Sequence, residues 1–244
     1  MRYLITFSYD GTNFHGLEYQ PDYRTIEEEM KKALTYINNQ QETKLIASGR
    51  TDKGVHALRQ TAHVDIFVDI TEYKLKRAMN SLLPDDIHVI ETLRVDDDFH
   101  ARYMVKEKTY QYILNQGEFN PLERNYVYQF GRSLDVEAMR NAIKYFEGVH
   151  DFKSFTPNKD KRESYVREIY EASIKSEGLK IIFTFRGNGF IKYQIRNMVG
   201  LLIQIGLHKK EVDCIPEILK NKNRSCNYKT AHPEGLYLIN VNYK

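Results

Sequence analysis

Cysteine is scarce in this sequence, with Cys214 and Cys226 the only two among 244 residues. Two cysteines cannot build a disulfide framework, and these two stand too far apart for a close metal pair. The usage fits a reducing, cytoplasmic setting. The eight histidines are scattered and form no His-Glu-x-x-His run or similar pair, so no metal site is expected. Tryptophan is absent. No Pro- or Gly-rich linker divides the chain. No apolar run approaches the roughly 20 residues that a membrane-spanning helix needs, so no membrane association is expected. The start, Met1-Arg2-Tyr3-Leu4-Ile5-Thr6-Phe7, enters a strand pattern directly and does not read as a signal peptide. Neither sign of charge dominates: 36 Lys and Arg face 33 Asp and Glu, a net charge of +3. That balance permits nucleic-acid binding without requiring it.

What is present is ordinary globular material, 41% hydrophobic and 28% charged. The length suits one large domain or two half-size ones. Eighteen tyrosines and twelve phenylalanines stand out. Tyrosine serves equally as a strand residue and as a ring that stacks on a base, so composition alone leaves both uses open.

Periodicity predicts a strand from Tyr3 to Ser8, with a turn at Tyr9-Asp10-Gly11-Thr12-Asn13. Thr25-Ile26-Glu27-Glu28 has the form of a capping box, and Ile26, Met30, Ala33, Leu34 and Ile37 follow as one helical stripe. A strand from Lys44 to Ala47 leads into a glycine turn, and a further strand is predicted over His63 to Val68. A second helix carries Leu75, Ala78, Met79, Leu82 and Leu83 and stops at Pro84, before a strand over 87–95. The second half repeats the scheme, with a strand at Thr109–Leu114 and a helix through Val136, Met139, Ile143 and Phe146. A hairpin, 167–175 and 179–185, precedes a mostly apolar helix, Ile195–Ile205, and a last strand, Gly235–Val241. The expected fold class is α+β, in two halves at 1–104 and 105–244.

Three stretches have residues that chemistry could use. In Gly49-Arg50-Thr51-Asp52-Lys53-Gly54, two charged side chains stand two apart between glycines, which allow backbone to approach a ligand closely. The competing reading is a turn aspartate bonded to its own backbone, with Arg50 and Lys53 solvated. Arg196 is a lone arginine in the apolar helix that follows Gly187-Asn188-Gly189-Phe190-Ile191. Such an arginine either meets an acidic partner or reaches solvent along its own stem. Phe99-His100-Ala101-Arg102 and Lys106-Glu107-Lys108-Thr109-Tyr110-Gln111-Tyr112 interleave basic residues with tyrosines, as a nucleic-acid face or a plain solvated strand would.

Taken together and in order, S-G-R-T-D-K-G-V-H-A, L-P-D-D-I with F-H-A-R, K-T-Y-Q-Y and G-N-G-F-I-x-x-Q-I-R-N-M-V-G closely resemble the TruA family of tRNA pseudouridine synthases. Tyr9-Asp10-Gly11-Thr12-Asn13-Phe14, Asp151-Phe152-Lys153-Ser154-Phe155 and Glu234-Gly235-Leu236-Tyr237 extend the likeness over essentially the whole chain. The resemblance implies two RRM-like halves that share a mixed, mostly antiparallel sheet, with helices packed on it and a central basic cleft. It implies an isomerase that needs no cofactor, acts on uridines 38 to 40 in the anticodon arm of tRNA, and works as a homodimer. Asp52 is by resemblance the catalytic aspartate, acting as nucleophile at C1′ or as base at the 2′ position. Arg196 is its counter-cation, Tyr110 packs on the target base, and Arg50 holds the extruded nucleotide. Possible RNA contacts are Lys53, His56, Lys106 and Lys108, with Lys153, Lys159, Lys161 and Arg162 as further candidates. The chain departs from many members at Leu17, where they have Trp, and at Lys53, where they have Ala or Ser. Two alternatives remain open: the same chemistry on another RNA site, and a non-catalytic RNA-binding protein on this scaffold. A third, a nucleotide-dependent enzyme built on Gly187-Asn188-Gly189, lacks the lysine of a Walker motif.

Overall fold

The computed structural model describes residues 1–157, 161, 163–222 and 228–244. Lys159, Arg162 and Cys226 lie outside them. The chain divides into two compact units, one formed by Met1–Lys106 with Tyr237–Lys244 and the other by Glu107–Leu236. Both mix helices with largely antiparallel strands, so the class is α+β.

In the first unit, β1 (Arg2–Tyr9) lies between β4 (Ile87–Val95) and β3 (His56–Asp65), antiparallel to both. The short β2 (Ile46–Ala47) runs antiparallel to β3, while the end of the chain, β10 (Leu236–Asn242), pairs parallel to β3 through Tyr237 and His56. Helix α1 (Ile26–Ile37) begins as its sequence predicts: the Glu28 backbone N–H donates to the Thr25 hydroxyl at 3.3 Å. Its buried stripe, Ile26, Met30, Ala33 and Leu34, joins Leu75 and Met79 of α2 (Glu72–Leu82). Tyr3, Ile5, Phe7, Val64 and Val89 from the strands complete this core.

β3 differs from the strand predicted over 63–68: it starts at His56 and ends at Asp65. Gln60, Thr61, Ala62, His63 and Val64 are consecutively buried, so both faces of the strand are covered and no alternation shows in the sequence. What covers one face is the Phe99–Arg102 segment. The Ala101 N–H donates to His63 Nδ1 at 3.0 Å, and the Ala101 carbonyl accepts from Tyr243 Oη at 2.9 Å. Tyr243 Oη also bonds Thr61 Oγ1 at 2.7 Å. The F-H-A-R motif is thus a tie over this sheet, with Ala101 fully buried and Arg102 exposed.

Burial, helped by Arg2 and His100, lowers His63 to about 4 from its ordinary value near 6.5. An unfolded chain takes up this proton near pH 6.5, whereas the folded chain resists until about 4. The His63 contribution is therefore complete above 6.5 and is lost as pH falls toward 4. Allowing for partial solvation of the ring, about 1–2 kcal/mol should disappear across that window. Urea midpoints at pH 7 and pH 4.5 will show it as a larger drop for wild type than for His63→Gln. Equal drops would place the acid sensitivity elsewhere.

In the second unit, β5 (Glu107–Asn115) pairs antiparallel with β9 (Lys180–Gly187), which pairs with β8 (Val166–Glu177), which pairs with β7 (Gly148–Asp151). β6 (Tyr128–Gln129) runs parallel to the end of β5. The predicted apolar helix is α4 (Gln194–Gly206), buried along nearly its whole length, with α3 (Val136–Ile143) and α5 (Cys214–Asn221) beside the same core. No helix among the described residues is long and apolar enough to cross a membrane.

Candidate active site

The turn 48–55 joins β2 to β3, and almost every residue in it is gripped. At its entry, buried Gln60 accepts from Ser48 Oγ at 2.7 Å and donates Nε2–H to the Gly49 carbonyl at 3.2 Å. Tyr9 Oη bonds Thr51 Oγ1 at 2.7 Å, and burial pushes the Tyr9 phenol up to about 12, so it stays neutral. The Leu17 N–H donates to the Thr51 carbonyl at 3.2 Å, and the Gly54 N–H donates to the Phe14 carbonyl at 3.4 Å. The Val55 N–H closes the turn onto the Asp52 carbonyl at 3.2 Å. These bonds hold the turn from both flanks, and the Asp52 side chain on it is half-buried.

The clamp is the segment Tyr9–Glu18, and its glycines explain themselves. A Cβ on Gly11 would sit 2.1 Å from the Val55 carbonyl oxygen. Gly16 takes φ +98°, and a Cβ there would sit 2.8 Å from the Thr51 oxygen. Phe14 is fully buried beneath the Arg24 guanidinium, 4.1 Å from its ring centre. Asp86 fastens this edge: its carboxylate accepts from Arg24 at 2.7 and 2.9 Å, and its carbonyl accepts from the Asp10 N–H at 3.0 Å. The L-P-D-D-I motif is therefore part of the same mounting. Leu17 is buried as well, so it is a packing position here.

The charged residues of the turn are arranged differently from one another. Arg50 is exposed and its Nη1 pairs with Glu18 Oε2 at 2.7 Å. Lys53 is exposed, with Nζ 3.0 Å from His15 Nε2. His56 is only 2% exposed; its Nδ1 accepts the Gly11 N–H at 3.1 Å and its ring stacks on Tyr237 with centroids 4.8 Å apart. The Asp10 carboxylate lies 3.2 Å from the same nitrogen. The ring acts as an internal strut of the turn.

In the second unit, Tyr110 and Lys108 lie on the buried side of β5, at 7% and 9% exposure, in line with fully buried Tyr112. The interleaved row is the covered side of the strand, and Lys106, just before it, is exposed. Tyr110 meets Phe190 edge-on at 5.3 Å. Phe190 precedes the left-handed Tyr193, which starts α4. Arg196, half-buried in the first turn of α4, donates Nε–H to the Ala231 carbonyl at 2.8 Å and lies 5.1 Å from the Tyr193 ring centre. Ala231 returns its own N–H to the Arg196 carbonyl at 3.0 Å. Its neighbour Asn197, fully buried, donates to the Phe155 carbonyl and accepts from Thr230 Oγ1, both at 2.7 Å. The D-F-K-S-F and R-N-M-V-G motifs thus hold the helix start that carries Arg196. Lys153 and Lys161 are exposed.

Sequence reasoning missed Tyr9, Gln60, Arg24, Asp86 and Asn197, whose parts are to position. The motif glycines Gly11 and Gly16 were the available signal.

Comparison with known proteins gives the family. A family model described as tRNA pseudouridine synthase matches residues 5–104 and 142–244. A relative named tRNA pseudouridine synthase A, from Limosilactobacillus reuteri, is 44% identical over 247 residues, spanning 99% of this chain and 96% of its own. Relatives of the same name from Oceanobacillus iheyensis (43%, 100% and 97% covered) and Streptococcus pneumoniae serotype 4 (45%, 100% and 99%) are similar to it as well. A crystal structure of a Cbf5-Nop10-Gar1 complex aligns with 83% of this chain and 53% of that one, at 15% identity and a TM-score of 0.32, too slight a likeness to add to the assignment. The chain belongs to the tRNA pseudouridine synthase family and is an isomerase of tRNA uridine.

Proposed function

We propose that the protein converts uridine to pseudouridine at positions 38 to 40 of the tRNA anticodon stem-loop, with Asp52 as the catalytic residue. The observation that supports this reading is the mounting of the G-R-T-D turn, in which hydrogen bonds from both flanks fix the backbone that carries Asp52. The reaction breaks N1–C1′, turns the uracil and joins C5 to C1′; C5 gives up a proton and N1 gains one. Asp52 begins it either by attacking C1′ or by taking the 2′ proton. The sum is an isomerisation, with no redox change. Arg196 is proposed as the counter-cation that favours the ionised carboxylate, Tyr110 as the ring against the target base and Arg50 as the side chain that keeps the nucleotide extruded, since extrusion costs a few kcal/mol. Exposed Lys53 and Lys106 are the more accessible of the proposed RNA contacts; Lys108 and His56 are buried. We place the working enzyme in the cytoplasm as a homodimer, on the family resemblance.

Site-resolved pseudouridine mapping of a tRNA pool treated with wild type and with Asp52→Ala tests the reading. Signal at 38 to 40 with wild type alone is expected. Signal elsewhere, lost in the variant, would retain the chemistry and overturn the target site.

A further inference from the structure

We infer that Glu18 is a specificity-determining residue: it neutralises Arg50 in the free protein and penalises RNA that cannot take Arg50 away from it. This rests on the proposed contact between Arg50 and RNA.

The pair is short, 2.7 Å from Arg50 Nη1 to Glu18 Oε2, and exposed, with 60% and 54% of the two side chains accessible. Exposed pairs are commonly weak because two flexible chains must be ordered to make them. Here the backbone on both sides is already tied. Leu17 donates to Thr51 at 3.2 Å and accepts from the Glu27 N–H at 2.9 Å, and the Tyr19 N–H donates to Glu27 Oε2 at 2.9 Å. Glu18 is thus held between two anchored neighbours. Arg50 follows Gly49, whose carbonyl is bound by Gln60. The ordering cost is reduced in advance, and Glu18 faces the one arginine of the turn.

An RNA backbone that meets this surface therefore encounters a neutral pair where the sequence offers a cation. To take over Arg50 Nη1, a nucleotide must displace Glu18 and leave a carboxylate beside phosphates. An extruded nucleotide returns that cost through its own contacts to Arg50, whereas a stacked duplex does not. Discrimination by a repulsive element of this kind acts mainly on incorrect partners.

The test measures binding by the full chain carrying Glu18→Gln, Arg50→Gln or both. The probes are an unmodified tRNA transcript and an unrelated RNA duplex, across a salt series. In Glu18→Gln the freed cation should tighten duplex binding about two- to fivefold at low salt. It should also steepen log K against log salt by roughly 0.7 to 0.9, one added phosphate contact. The gain for tRNA should be smaller, and in the Arg50→Gln background Glu18→Gln should relieve only the repulsion of its own carboxylate, a smaller gain with no steepening of the salt slope. Unchanged affinity and slope, an equal gain for both RNAs, or the full gain with its steeper slope in the absence of Arg50 would each overturn the inference. Wild-type turnover and affinity in Arg50→Gln alone would instead remove the RNA role of Arg50, and the inference with it.

Discussion

Asp52→Asn should lower the rate of pseudouridine formation by at least about 10⁴-fold while tRNA affinity stays within about threefold of wild type. The amide keeps the size of the side chain but can neither attack C1′ nor accept the 2′ proton. The grip on the turn runs through the Thr51 and Asp52 carbonyls, the Gly54 and Val55 N–H groups and the Thr51 hydroxyl, none of which the substitution touches. A loss of activity with binding retained therefore reports the carboxylate rather than a displaced loop. Single-turnover release of tritium from uridine C5, with binding measured in parallel, separates the two. Activity within tenfold of wild type would refute the role of Asp52; equal loss of binding and turnover would recast it as a structural residue.

Gly11→Ala should cost about 3 kcal/mol and lower the melting temperature by about 6–12 °C, because the added methyl has only backbone to displace. It would lie 2.1 Å from the Val55 oxygen, 2.6 Å from its carbon and 3.0 Å from its nitrogen. Relief would require moving either Val55, which closes the 48–55 turn, or Gly11, whose N–H is bound to His56. Turnover measured well below the melting temperature should fall too, since the turn and the clamp cannot both stay in place. Asn13→Ala, exposed in the same segment, is the control and should stay within about 0.5 kcal/mol. A wild-type melting temperature for Gly11→Ala would mean that the two segments do not approach this closely.

Part of the fold was legible because local rules and tertiary packing agreed. The stripe from Ile26 to Leu34 and the Thr25 cap show in the sequence as they stand in the structure. So does the β8–β9 hairpin around Glu177 and Gly178. The start of β3 was not legible, because a strand covered on both faces loses its alternation. Helix α5 and the strands β6 and β7 are too short, at 8, 2 and 4 residues, to develop a period of their own. Among the candidate site residues, the carboxylate and the two arginines could be singled out, since charged residues between glycines or inside an apolar helix contradict their surroundings. Their supports could not. Tyr9, Gln60 and Asn197 act through bonds to a hydroxyl or to backbone carbonyls, and a carbonyl is the same atom in every residue.

The sequence by itself determined the helices with clean stripes, the α+β class and the residue types available for chemistry, because periodicity and propensity act within a few neighbouring residues. Tertiary structure alone decided which side of β5 is covered, so that Lys108 and Tyr110 are buried rather than laid open, and it turned His56 from a loop histidine into a strut. It also set Glu18 against Arg50, 32 positions away in the chain. Burial and ion pairing between distant segments depend on which surfaces meet, and no local pattern encodes that.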